Sequence, residues 1–116
     1  MISEFRRARR RKAVDTILVS DAMTERVVGR IGNISETGML LTASEPLCED
    51  ALYQFRFQLP DMRGVESAVE VGAHLLWVDH ANAPGQAWAG FRFIGLNPAN
   101  TARLRAWIDA PGGQYE

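Results

Sequence analysis

Residues 51–59 constrain the fold of this chain more than any other stretch. Tyr53, Phe55, Phe57 and Leu59 alternate there with Leu52, Gln54, Arg56 and Gln58. Successive side chains of a β-strand leave on opposite faces, so three aromatic rings and a leucine gather on one side, and that side needs a core to cover it. A helix would scatter the same residues around its axis. Pro60-Asp61 and Gly64 then signal a turn, and a second extended segment spans residues 65–78. Within it Val65, Val69, Val71, Ala73, Leu75 and Trp77 share one parity, which predicts a core position for Trp77. So long a strand in so short a chain has to bend, and Gly72 is the predicted bulge.

The remaining segments are also strand-like. Residues 14–20 are rich in β-branched side chains, residues 26–34 and 39–42 flank a predicted hairpin turn at 35–38, and residues 87–94 carry Phe91 and Phe93 on one face. Only the last element reads as a helix. Asn97 is its cap, Pro98 its first residue, and Leu104, Trp107 and Ile108 its apolar stripe, with Pro111-Gly112-Gly113 ending it. At 116 residues and 47% hydrophobic, the chain supports one core. Five to seven short antiparallel strands followed by one helix predict an all-β fold, a small barrel, because closure removes exposed strand edges. Residues 1–13 are then a flexible basic arm, 14–110 the barrel with its helix, and 111–116 a tail.

Charge is divided along the chain. The formal net charge is −1, yet residues 1–12 carry +5, with all six of their basic groups in Arg6-Arg7-Ala8-Arg9-Arg10-Arg11-Lys12, and residues 13–116 carry −6. The body therefore repels a polyanion that the arm attracts, so a compact anion at the arm's base suits the layout better than a nucleic acid. Cys48 has no partner for an internal disulfide, and His74, Asp79 and His80 match no metal-ligand spacing. A reducing, cytoplasmic setting is the expectation. No apolar stretch follows the arginines as in a secretory signal, and none is long enough for a membrane span. Ser35 has no nearby base, and neither a GxSxG elbow nor a paired catalytic carboxylate is present, so an enzyme is not expected.

Five of the arm's six basic residues are arginine, whose planar fork fits phosphate in bidentate fashion and stacks on bases. Alone, such a run is an ordinary solvated tail. Asn33-Ile-Ser35-Glu-Thr-Gly38 alone is an ordinary turn, its Asn and Ser bonding local backbone and its Gly accepting positive φ. Placed in succession, just before the first strand and in the next hairpin, the two reach one end of a barrel.

In that combination the chain resembles the PilZ domains, bacterial receptors for cyclic di-GMP. Arg7-Ala-Arg-Arg-Arg11 matches the family's RxxxR ahead of the first strand, and Asn33-Ile-Ser35-Glu-Thr-Gly38 matches [D/N]xSxxG. Arg6 and Arg10 satisfy RxxxR equally; the Arg7/Arg11 register is preferred because Asp15 stands four residues beyond Arg11. The proline often seen entering the first strand in the family is absent, a departure that leaves both registers open. The resemblance implies a six-stranded antiparallel barrel of the split-barrel type with a C-terminal helix, no cofactor, and cyclic di-GMP as ligand. It also implies that the arginines grip guanine and phosphate, that Asn33 and Ser35 bond guanine edges or phosphate, that Gly38 permits the turn, and that Trp77 packs near the ligand. The residue before RxxxR influences ligand number in such domains: Arg6 there implies two stacked molecules, whereas the Arg6/Arg10 register puts Phe5 there and implies one. An ordering arm would signal to an unidentified downstream protein. The rivals are a nucleotide-independent adaptor of the same fold and a small nucleic-acid-binding barrel.

Overall fold

The computed structural model describes residues 8–80 and 85–116. Seven strands precede one helix: β1 (Arg11–Lys12), β2 (Leu18–Asp21), β3 (Val27–Ile34), β4 (Gly38–Ala43), β5 (Leu52–Pro60), β6 (Glu66–His80), β7 (Ala87–Gly95) and α1 (Pro98–Asp109). Every pairing is antiparallel. Around the sheet the order is β2-β5-β6-β7-β4-β3, and β3 returns to β2, so six strands close into a barrel. The short β1 is an addition to the far end of β3, with Arg11 opposite Ile34 and Lys12 opposite Asn33.

The alternation in β5 holds: Phe55, Phe57 and Leu59 are buried, and Phe55 meets Phe91 edge to face at 5.1 Å. β6 reaches 15 residues by serving two partners, β5 through its first half and β7 through its second. It bends twice, at Gly72/Ala73 as its glycine predicts and again between Leu75 and Trp77. The second irregularity corrects the core assignment of Trp77. Val69, Val71, Ala73 and Leu75 are fully buried, but the extra residue inverts the parity beyond them. Val78 then turns inward to the core, and Trp77 stands 44% exposed on the outer wall.

The helix begins as its sequence predicts. The Asn97 side chain accepts a hydrogen bond from the Asn100 backbone N–H, and Pro98 opens the first turn. Leu104, Trp107 and Ile108 are buried, and the Asn100 side-chain amide, itself buried, donates to the Glu70 carbonyl at 2.8 Å. That bond places α1 against the barrel beside β6. Among the described residues no helix is long and apolar enough to cross a membrane.

Residues 8–13 of the basic arm are held against the barrel by β1, and the tail is held with them. Lys12 N–H donates to the Gln114 carbonyl at 2.7 Å, and Glu116 N–H donates to the Arg10 carbonyl at 3.0 Å.

Candidate functional site

Antiparallel alternation decides what the arm presents. Continuing the pairing of Arg11 with Ile34 and Lys12 with Asn33 by one residue sets Arg10 beside Ser35. The Arg10 side chain crosses onto this turn: its Nε donates to Asn33 Oδ1 at 2.8 Å and one terminal nitrogen donates to Ser35 Oγ at 3.3 Å. Asn33 and Ser35 are themselves buried, at 6% and 0% exposure. Burial pushes the Arg10 pKa down from its usual value, and the negative charge of Glu116 works in the opposite direction. An arginine remains charged through such a shift, so the site holds a partly desolvated cation.

Arg11 points the other way. Its terminal nitrogen donates to the Trp107 carbonyl at 2.5 Å and approaches the Ala110 carbonyl at 3.4 Å, and its guanidinium lies 4.6 Å from the Trp107 ring centroid. The structure thus brings Arg10, Asn33 and Ser35 together and separates Arg11 from them. Arg6 and Arg7 lie outside the described residues.

The turn is self-supporting. Ser35 Oγ accepts from the Thr37 backbone N–H at 3.1 Å, and Ser35 N–H donates to the Gly38 carbonyl at 2.9 Å. Gly38 is needed for a different reason than the one expected. The positive-φ glycines of the described residues are Gly64, Gly85 and Gly112, and Gly38 is not among them. Instead β4 passes so close to β7 that a Cβ at Gly38 would overlap the Phe91 carbonyl oxygen.

A shallow concavity of about 320 Å³ opens beside this cluster, lined by Arg10, Asn33, Leu40, Leu76, Trp77 and Gly90. The Trp77 indole covers Gly90, where any Cβ would collide with the ring. Gly90 and Leu40 are site residues that sequence reasoning missed. The signal for Gly90 was a glycine inside a strand pattern, which marks a close approach. Fork, amide and aromatic plate converge on one wall, with the buried Ser35 hydroxyl holding the fork from behind, and fork and plate are the donor and stacking surface that a nucleotide's phosphate and base require.

A larger groove of about 480 Å³ lies on the opposite side of β1, lined by Arg11, Leu59, Met62, Arg103, Trp107 and Pro111. Its greater volume does not make it the better candidate. Arg11 is engaged there with helix carbonyls, and the turn that also lines the groove presents the Asp61 carboxylate, bonded to the Arg63 and Val65 N–H groups, which repels an anion. His74 is likewise occupied, its Nε2 lying 2.6 Å from Asp50 Oδ1, and among the described residues no three potential metal ligands cluster.

The sequence model of the PilZ domain matches residues 4–110. The chain belongs to the PilZ domain family. Solved PilZ-type structures share its fold. The PilZ domain of Escherichia coli YcgR with c-di-GMP superposes with a TM-score of 0.64 at 18% identity, covering 89% of this chain and 88% of that one. The Bacillus subtilis inhibitor of motility MotI/DgrA gives 0.68 at 16% identity, covering 89% of this chain and 49% of its own. The crystal structure of Escherichia coli YcgR in complex with c-di-GMP gives 0.63 at 18% identity, covering 86% of this chain and 42% of that one. This PilZ chain therefore spans about half the length of the MotI/DgrA chain and of that YcgR chain. No curated protein sequence matches it.

Proposed function

We propose that this PilZ domain is a non-enzymatic receptor for cyclic di-GMP, bound in the concavity between Arg10 and Trp77. The observation that carries the reading is the convergence of the Arg10 guanidinium on Asn33 and Ser35 beside an exposed indole. Each charged hydrogen bond to a ligand contributes roughly 1.5–3 kcal/mol. Stacking of a base on Trp77 adds about 1–3 kcal/mol. Two such bonds and one stacked base reach the roughly 8 kcal/mol of micromolar binding at the upper end of these ranges. The solved YcgR structures contain c-di-GMP, and this chain shares their fold.

The placement of Arg10 supports the Arg6/Arg10 register of the RxxxR motif over Arg7/Arg11. Phe5 is then the preceding residue, and an apolar side chain there offers a second ligand no donors, so one molecule per chain is proposed in place of a stacked pair. Ligand capture at Arg10 would be passed to a downstream protein through the arm, since Arg11 is fastened to α1 one residue away.

Calorimetric titration with cyclic di-GMP, with GTP and single-stranded RNA as controls, tests the reading. Saturation at one cyclic di-GMP per chain, with neither control competing, is expected. Preferential RNA binding with a steep salt dependence would sink it in favour of a nucleic-acid barrel, and no binding of any of the three would favour the adaptor.

A further inference from the structure

Residues 114–116 lie beyond the stretch that the PilZ model matches, yet they complete the structure around Arg10. Tyr115 bridges Arg11 in antiparallel fashion, Lys12 N–H donates to the Gln114 carbonyl, and Glu116 N–H donates to the Arg10 carbonyl. The arm is thus the middle of three strands, with β3 on one side and this segment on the other. Residues directly opposite in an antiparallel pair share a face.

Two contacts on the helix side fit that rule. Tyr115 Oη donates to the Ile108 carbonyl at 2.5 Å, next to the Trp107 carbonyl that takes Arg11. Arg9, two residues from Arg11, lays its guanidinium 4.1 Å from the Tyr115 ring centroid and pairs with Asp109 at 3.3 Å. Gly113 leaves room for the Tyr115 ring, for a Cβ there would stand 2.7 Å from Tyr115 Oη. By the same alternation Glu116 faces the ligand side, opposite Arg10.

We propose that residues 114–116 are a positioning strand for the binding site: Tyr115 locks the arm in the register that aims Arg10 at Asn33 and Ser35, and Glu116 is a built-in counter-charge that an incoming dianion must displace. The proposal rests on the cyclic di-GMP reading and assigns the two residues effects of opposite sign. Losing Tyr115 frees the arm and weakens binding. Losing the Glu116 charge removes a competitor and strengthens it, with the gain screened by salt.

The test is calorimetric titration of the full chain with cyclic di-GMP at low and high salt, alongside thermal melts and amide hydrogen exchange. Glu116→Gln is expected to bind about two- to fivefold tighter at low salt, with less gain at high salt and an unchanged melting temperature. Tyr115→Ala is expected to bind roughly fivefold more weakly and to lose protection at the Lys12 amide. A Glu116→Gln chain that binds like the parent or more weakly overturns the counter-charge. A Tyr115→Ala chain that keeps both its affinity and the Lys12 protection overturns the lock. A parent that binds no cyclic di-GMP overturns the ligand reading itself, and the Lys12 exchange still reports whether the strand forms.

Discussion

Arg10 and Arg11 are identical side chains one peptide bond apart, and the fold sends them to opposite duties. Arg10 lies over a polar turn with a concavity beside it, half-buried and within reach of an exposed indole. Arg11 lies over an apolar helix end, adding a charged donor to the Trp107 carbonyl that also takes the Ala110 N–H, approaching the Ala110 carbonyl, and stacking on Trp107. Composition cannot separate them, because an arginine binds phosphate or caps a helix according to what faces it. The difference teaches that a basic run is not a uniform electrostatic patch once part of it pairs as a strand.

The largest expected effect breaks the comparison at its ligand side. Arg10→Ala removes the fork and should weaken cyclic di-GMP binding by about 10- to 100-fold in calorimetry, and it should also lower stability by about 1–3 kcal/mol because it leaves the buried Asn33 Oδ1 unpaired. If Arg11→Ala proves the more damaging to affinity, the assignment of the two faces is reversed. Next is the aromatic wall. Gly90→Ala forces the Trp77 ring off β7, and a loss of roughly tenfold in affinity is expected from the misplaced stacking surface; an unchanged affinity would remove Trp77 from the site.

The helix side carries a smaller and different effect. Arg11→Ala should cost about 1–2 kcal/mol of stability in denaturant unfolding, from the lost cap and cation–π contact, while affinity stays within about threefold. The smallest effect lies off both faces. Hydrogen bonds from Gln54, then Arg56, hold the Glu70 carboxyl below its usual pKa. Its stabilisation is therefore present above the ordinary carboxylate range and lost as pH falls through the lowered folded value. Glu70→Gln should lower the melting temperature slightly at pH 7, by less at about pH 3, and leave ligand affinity alone at either.

Much of the fold was legible because its signals are local. The alternation at residues 53–59 expresses strand geometry, and Asn97-Pro98 expresses the hydrogen-bonding needs of a helix start, so neither depends on what packs nearby. The Asn33 to Gly38 turn was legible as a motif, but the duty of Gly38 was not: close approach between β4 and β7 involves residues more than fifty apart in sequence. Trp77 was misjudged because parity counting assumes an uninterrupted strand, and the irregularity between Leu75 and Trp77 carries no glycine to announce it.

By itself, then, the sequence determined the barrel's strands, the capped helix, and a basic arm followed by a polar turn, because backbone periodicity and capping are settled by neighbouring residues. Which arginine meets the turn, which face Trp77 takes, and the pairing of residues 114–116 with the arm were decided by tertiary structure alone. Each depends on strand register, and register is set only when β1, β3 and the returning tail pair with one another and with the helix end.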